Sequence, residues 1–156
     1  MQNAADRVLP FLSGLDFLLD GRLVAVDNYN IKCIIMNDRL QRLGKPYEFK
    51  IPPLSVVCVS HDALRVTFGV FAAVLFLSVS KDNVIKLTRQ IKTPSMFDSI
   101  CCMFPSHMVV STWGDPPHAR MLSVDGVESD FNNLTFLKKT YKGTESKCTY
   151  VESKTR

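Results

Sequence analysis

The sequence lacks the cysteine and histidine spacings that bind metal ions or carry redox chemistry. It has five cysteines, an odd number, and no C-x-x-C pair among Cys33, Cys58, Cys101, Cys102 and Cys148. We therefore expect these cysteines to be small buried apolar residues in a reducing compartment, and we predict a cytoplasmic protein. The alternative is a metal site or a redox pair, which needs ligand spacings that the chain does not have.

Long hydrophobic runs are also missing. The N-terminal residues 1–7 do not show the basic start and apolar core of a secretion signal. The most apolar stretch, Val66–Val79, is interrupted by Thr67, Gly69 and Ser78. It is shorter than the ~20 residues that a membrane-spanning helix requires. We expect no membrane partner.

Most of the chain has no excess of basic over acidic residues. The net charge is +4, but residues 1–137 hold equal numbers of basic and acidic residues, so the whole excess lies in residues 138–156. A nucleic-acid-binding surface usually spreads basic residues over one face. A short basic segment is more typical of a solvated end.

What the chain does contain is a repeated unit of short β-rich runs separated by turn residues. Asp20-Gly21, His61-Asp62 and Ser106-His107 mark the first turn of three successive units. The unit starts, Ser13, Ser55, Ser99 and Ser146, are 42, 44 and 47 residues apart. A period of this length, with four short strands in each unit, is typical of the blades of a β-propeller.

The sequence thus predicts an all-β chain, a partial β-propeller of about three four-stranded antiparallel blades plus the start of a fourth. Residues 1–12 are a lead-in or the end of a preceding blade. Blades one, two and three are residues 13–54, 55–98 and 99–145, and residues 146–156 are the first strand of an incomplete blade. A β-sandwich is the alternative, although it would not need so regular a four-strand repeat.

Blade one has the most specific motif. An Asp20-Gly21 turn is followed by Leu-Val-Ala-Val-Asp-Asn-Tyr-Asn at positions 23–30, where a strand ends in Asp and Asn follows. This pattern resembles an NHL-type repeat. With Ser-Val-Asp-Gly-Val-Glu-Ser-Asp-Phe (123–131) and Ser-Lys-Cys-Thr-Tyr-Val (146–151), the chain resembles the C-terminal NHL-like propeller of tripartite-motif proteins. Blades two and three have lost the Asp-Asn element.

The resemblance implies a six-bladed propeller that selects partners. Tripartite-motif proteins are often ubiquitin ligases, and their catalysis belongs to an N-terminal zinc-binding region. This chain has no Cys/His spacing of the kind that such a region needs. We therefore expect no enzyme activity in this chain, and a protein partner, with structured RNA as the alternative. Because about three blades leave open edges, we also expect a fragment that is prone to self-association or aggregation.

Partner-binding residues are expected in loops at one end of the blades. The candidates are Tyr29, Lys45, Tyr47, Lys92, Trp113 and His118. Trp113, the single tryptophan, lies in a Gly/Pro-rich loop and is either an exposed anchor or folded over a blade edge. For RNA, Lys45, Lys50, Lys92 and Arg120 would surround stacking platforms at Tyr29 and Tyr47.

An enzymatic function has less support in the sequence than partner binding. Some six-bladed propellers are lyases or lactonases with a metal ion in the central channel, held by polar groups at the ends of the inner strands. The inner strands here are apolar, with Asp16 and Asp98 as the nearby carboxylates. His61, His107 and His118 fall in separate turns and are expected to be solvated. We predict no catalytic, metal-binding or cofactor-binding residue.

Overall fold

The computed structural model describes residues 8–112 and 119–131. Within these ranges the chain forms twelve β-strands. They include no helix long and apolar enough to cross a membrane. The predicted fourth unit, residues 146–156, and the end of the third lie outside the described residues.

The strands form three four-stranded antiparallel sheets, and each sheet follows the order of the chain. Sheet 1 contains β1 (Leu12–Phe17), β2 (Leu23–Asp27), β3 (Lys32–Met36) and β4 (Arg42–Glu48). Sheet 2 contains β5 (Ser55–Cys58), β6 (Ala63–Phe68), β7 (Phe71–Val79) and β8 (Ile85–Lys92). Sheet 3 contains β9 (Phe97–Phe104), β10 (His107–Thr112), β11 (Ala119–Ser123) and β12 (Glu128–Ser129). The predicted all-β arrangement of four-stranded units is confirmed.

The turn between the third and fourth strands has the same geometry in all three sheets. Each turn has two backbone hydrogen bonds. The N–H of the first residue donates to the carbonyl of the fifth, and the N–H of the fourth donates to the carbonyl of the first, in residues 37–41, 80–84 and 123–127. The first residue is Asn37, Ser80 or Ser123, and its side-chain oxygen accepts from the backbone of its own turn. These residues are 43 apart, so the repeat is more regular in the structure than the serine marks indicated.

Apolar packing between the sheets forms the core. One cluster, including Val24, Val26, Leu64 and Val66, lies between sheets 1 and 2. A second cluster, including Val57, Val74 and Met108, lies between sheets 2 and 3. Each fully buried side chain of this size contributes about 1.5–3 kcal/mol before entropy is counted. Sheet 2 is therefore packed on both faces.

Close backbone contacts connect the inner strands β1 and β5. A Cβ at Gly14 would lie 2.8 Å from the backbone nitrogen of Val56, so only glycine allows this approach. Two residues on, the Asp16 carboxylate accepts a 2.6 Å hydrogen bond from the backbone N–H of Cys58. One predicted carboxylate of the inner strands is thus used to connect two sheets.

Arginines make a repeated link between neighbouring sheets. Arg22, just before β2, donates a 3.1 Å hydrogen bond to the carbonyl of His61 in the first turn of sheet 2. Arg65 in β6 donates a 2.7 Å bond to the carbonyl of Pro105 in the first turn of sheet 3. The Arg65 guanidinium also lies 5.3 Å from the ring centroid of Phe76. Each link satisfies a turn carbonyl through a cation from the preceding sheet.

The prediction that all cysteines are reduced thiols is wrong for Cys101, which is disulfide-bonded. Its position near the middle of an apolar strand gave no sign of a disulfide. Cys33, Cys58 and Cys102 are free. Cys33 is fully buried, as expected for a small apolar residue.

Two glycines allow a prediction about backbone strain. Gly44 (φ +65°) and Gly21 (φ +88°) both have left-handed backbones, but a Cβ at Gly44 would lie 2.5 Å from the carbonyl oxygen of Asn83, whereas at Gly21 nothing lies within 4 Å. Gly21→Ala should lower the free energy of unfolding by about 1 kcal/mol, from backbone strain alone. Gly44→Ala should lower it by about 2 kcal/mol or more, because the steric overlap adds to the strain. Urea unfolding of both variants tests this, and equal losses would contradict it.

Burial of Cys33 predicts a pH dependence. Burial raises the pKa of the Cys33 thiol from 9.0 to about 12. Above pH 9 the unfolded chain therefore loses this proton while the folded chain keeps it. The free energy of unfolding should fall as pH rises towards 12, by up to about 1.4 kcal/mol per pH unit for this thiol. Denaturant titrations from about pH 8 to about pH 10.5 should show a shallower decline for Cys33→Ala than for the parent chain. Parallel pH profiles would show that the thiol makes no such contribution.

Candidate partner-binding surface

The turn between β2 and β3 is built around a buried carboxylate. Asp27, the last residue of β2, is completely buried. One of its oxygens accepts from the backbone N–H of Phe11 at 3.1 Å and of Asn30 at 3.2 Å. The other oxygen accepts from the Asn30 side chain at 2.9 Å. Three hydrogen bonds to one carboxylate fix the turn and attach the segment that precedes β1 to it.

Asparagine side chains extend these contacts. The Asn30 amide donates to the Val8 carbonyl at 3.1 Å and accepts from the Val8 N–H at 3.4 Å. The Asn28 amide donates to the Pro53 carbonyl at 2.7 Å, and its backbone N–H donates to the Phe11 carbonyl. Two asparagines therefore hold both the lead-in segment and the connection between sheets 1 and 2.

An aromatic pair lies on this framework. The rings of Phe11 and Tyr29 are stacked at a tilt, with centroids 5.0 Å apart. Tyr29 is 62% exposed, Phe11 is 48% exposed and the neighbouring Leu9 is 73% exposed. Large apolar side chains are thus presented to solvent from backbone that is hydrogen-bonded on both sides. We call Leu9, Phe11 and Tyr29 the aromatic patch.

The expected loop position of Lys45 and Tyr47 is wrong, because both residues lie in strand β4. The strand continues through Pro46 since Pro is tolerated in an outer edge strand. Tyr47 packs against the core between sheets 1 and 2 and forms an edge-to-face pair with Phe49, centroids 5.2 Å apart. Its ring is therefore not a free stacking platform. Lys45 is exposed on the outer strand, away from the β2–β3 turn.

In the described part of the chain the other predicted residues lie on separate elements, and Lys50 follows Phe49, whose backbone N–H donates to the Ile31 carbonyl at the end of the β2–β3 turn. Lys92 is exposed at the end of the outer strand β8 of sheet 2, and Lys50 is exposed after β4. Arg120 in β11 donates to Glu128 at 2.8 Å and lies 3.5 Å from Asp130, so its charge is neutralised locally. Trp113 and His118 lie outside the described residues. Of the four candidates that the structure describes, Tyr29 is the one found in a rigid, exposed turn.

The sequence interpretation missed Phe11 and Leu9, which had been assigned to a lead-in without clear structure. The contact that brings them to Tyr29 depends on Asp27. The signal was present in the Asp-Asn-Tyr-Asn sequence, because Asp and Asn side chains readily bond to nearby backbone at turns. The partner of those side chains, 16 and 22 residues earlier in the chain, could not be read from the motif.

Catalytic chemistry has little support in the described residues. No group of three or more His, Cys, Asp or Glu side chains within residues 8–112 and 119–131 could hold a metal ion. Asp16 is engaged by the Cys58 N–H. His61 lies 3.7 Å from Asp62 in an exposed turn, and its carbonyl accepts from Arg22, which is paired with Asp20.

No protein-family model and no curated protein sequence matches the chain. Its fold is similar to parts of several solved structures. A Kuenenia stuttgartiensis hydrazine synthase matches with a TM-score of 0.64 and 12% identity, over 82% of this chain and 37% of that one. A Myxococcus xanthus glutaminyl cyclase matches with a TM-score of 0.62 and 12% identity, over 77% of this chain and 49% of that one. A Staphylococcus aureus virginiamycin B lyase matches with a TM-score of 0.56 and 13% identity, over 78% of this chain and 42% of that one. These are propeller-like β-proteins.

The chain is a partial β-propeller. It spans less than half the length of each of these three proteins. At 12–13% identity the similarity is one of fold, and it carries no activity over to this chain. The three sheets are accordingly three propeller blades, and the aromatic patch lies on the first.

The buried carboxylate gives the next prediction. Asp27→Ala should lower the free energy of unfolding by about 2–3 kcal/mol, because buried donors lose their acceptor. It should also release the lead-in, so that limited proteolysis cuts near Phe11 faster than in the parent chain. Asp38→Ala, which removes an exposed carboxylate from the β3–β4 turn, is the matched control and should change neither quantity. Equal effects of the two substitutions would refute the role of Asp27.

Proposed function

We propose that the chain is a protein-interaction propeller, the partner- or substrate-recognition region of a tripartite-motif-like protein, without catalytic activity of its own. The observation that carries the proposal is the aromatic patch, an exposed Phe11–Tyr29 pair held by the buried Asp27 carboxylate. The connection to tripartite-motif proteins and to the ubiquitin pathway rests on the NHL-like sequence of blade one.

The patch has the properties of a binding hot spot. Tyrosine supplies a large contact area with few rotatable bonds and a polar hydroxyl at its end. Because hydrogen bonds already fix the β2–β3 turn and the lead-in, a partner would have little conformational entropy to remove on binding. An exposed aromatic pair on rigid backbone is therefore a better anchor than one on a free loop.

Charge favours a protein partner over RNA. Arg120 is neutralised by Glu128 and Asp130, and Lys45 lies on an outer strand rather than beside Tyr29. Tyr47, the second proposed stacking ring, is packed against the core. RNA binding would need phosphate-contacting cations around an open aromatic surface.

A cytoplasmic location belongs to the same proposal and rests on the cysteine spacings, which predict reduced thiols. The disulfide at Cys101 stands against it, because reducing compartments rarely preserve disulfides. Alkylation of free thiols in intact cells, followed by mass spectrometry of the Cys101 peptide, decides between a reduced and a disulfide-bonded Cys101 in the cell. A cytoplasmic chain should be alkylated at Cys101.

The function is tested by affinity isolation from a nuclease-treated cell lysate with quantitative mass spectrometry. Proteins bound through the aromatic patch should be retained by the parent chain and reduced about 10-fold or more by Tyr29→Ala, as for a hot-spot truncation. Val70→Ala is the matched control, since Val70 is an exposed apolar residue in the corresponding β6–β7 turn of blade two. It should leave the retained set unchanged.

Two results would contradict the proposal. One is a retained set that Tyr29→Ala does not reduce, or that Val70→Ala reduces equally. The other is binding that disappears after nuclease treatment and weakens steeply with salt, because release of counterions from phosphates is characteristic of nucleic-acid binding. That second result would establish the RNA alternative.

A further inference from the structure

The outer strand of the second blade, β8, has an open edge. It pairs with β7 on one side, and among residues 8–112 and 119–131 no strand pairs with its other side. Residues 86–90 and Lys92 are all exposed. Because the second blade has a blade on either side, this edge on the rim does not depend on how the propeller is completed. Such an unpaired edge is a template for an added strand.

The hydrogen bonds at the two ends of β8 show which backbone groups face outward. The Ser80 N–H donates to the Val84 carbonyl, and the Thr93 N–H donates to the Ala72 carbonyl. In an antiparallel pair, hydrogen-bonded and non-hydrogen-bonded residues alternate along each strand. Counting inward along the register from both ends, four residues have backbone groups that point away from β7: Ile85, Leu87, Gln90 and Lys92. These residues present donors and acceptors to an incoming strand.

A bulge at Thr88 divides this edge into two stretches. Phe76 pairs with Arg89 and Leu77 with Leu87, so Thr88 is the extra residue on β8. Its hydroxyl donates to the Phe76 carbonyl at 2.9 Å, which fixes the bulge. A bulge interrupts pairing with a long, flat strand. The stretches 85–87 and 90–92 therefore suit a short extended segment rather than another sheet.

The charged side chains of β8 are all basic. The strand contains Lys86, Arg89 and Lys92 and has no carboxylate. Arg89 lies 3.2 Å from Asp125 of the third blade, whereas Lys86 and Lys92 lie near the two ends of the open edge. Opposite charges on paired strands stabilise a sheet, and like charges destabilise it. The edge therefore selects against pairing with a second β8 and favours a strand that carries carboxylates.

The composition of the segments beyond the described residues does not supply such a strand. Residues 132–156 contain six basic and two acidic residues, and residues 1–7 contain one of each. Residues 113–118 contain two prolines, which cannot donate to a strand ladder. The charge complement of β8 is accordingly sought in a partner.

We propose that the β8 edge binds a short, extended, acidic segment of a partner protein as an added strand of the second blade. Its carboxylates would lie beside Lys86 and Lys92, and Leu87, which is 47% exposed, would contact an apolar side chain between them. This inference is independent of the proposed function, because the aromatic patch lies on the first blade and shares no residue with β8.

Fluorescence anisotropy with short synthetic peptides tests strand addition on the parent chain. A labelled peptide of alternating Glu and Val should bind, and one of alternating Lys and Val should bind about 10-fold more weakly or worse. Two further Glu–Val peptides carry backbone N-methyl groups on alternate residues, in opposite phase. Since alternate residues of an added strand face β8, one of them should lose about 10-fold or more in affinity and the other should bind normally.

Variants of the chain locate the site. Lys86→Glu/Lys92→Glu should weaken binding of the Glu–Val peptide by about 10-fold or more and should bind the Lys–Val peptide better than the parent does. Arg39→Glu/Lys50→Glu is the matched control, because it changes the net charge equally at exposed residues outside β8. It should bind the Glu–Val peptide as the parent chain does. Tyr29→Ala should also bind it normally, which separates this test from that of the function.

A backbone variant checks the edge itself. Gln90→Pro removes an outward-facing donor, as Pro46 does in the outer strand β4, and should weaken binding, whereas Gln90→Ala should not. A Glu–Val peptide that fails to bind the parent chain overturns the proposal. So do equal affinities of the two N-methylated peptides, which indicate attraction between charges without strand pairing, and equal effects of the two charge-reversal variants. The peptide comparisons use the parent chain and hold even if a variant folds poorly.

Discussion

The structure depends on apolar contact between neighbouring sheets. A four-stranded sheet with two apolar faces cannot bury both by itself, so each blade needs a neighbour on either side. The second blade has both neighbours, and the clusters around Val66 and Val57 lie on its two faces. Among the described residues the first blade has one such neighbour, and Leu15 and Phe17 are exposed.

Much of this architecture could be predicted because its determinants are local. Turn residues close each hairpin: Asn37, Ser80 and Ser123 each bond to the backbone of their own turn, and such contacts leave a signature in the adjacent sequence. Alternation and β-branched runs then indicate strands between the turns. Strand β6, Ala63–Phe68, lies where the pattern predicts it, between a Ser-His-Asp turn and a glycine.

The candidate site was less predictable because its contacts are distant along the chain. Tyr29 could be found from its turn, but Phe11 reaches it through bonds to Asp27 and Asn28. Tyr47 is half-buried because Phe49 and Phe68 extend the core towards it. The charge of Arg120 is cancelled by an acidic residue on the adjacent strand. In each case the residue type was visible, but its partner was set by strand register, which composition and spacing do not encode.

The NHL-like element of the first blade has a physical explanation that also accounts for its loss in the second. Strand register places Phe68 and Thr112 at the positions equivalent to Asp27. Phe68 is buried in the core between the first two blades, where a carboxylate would have no compensating donors. In the first blade the lead-in segment supplies one donor, the Phe11 N–H, and Asn30 supplies two more while its side chain also donates to the Val8 carbonyl. The Asp-Asn element is therefore suited to a blade whose β2–β3 turn must hold an incoming segment. That segment carries Phe11 to Tyr29, so the same contact that anchors the chain's entry into the propeller also creates its exposed aromatic surface.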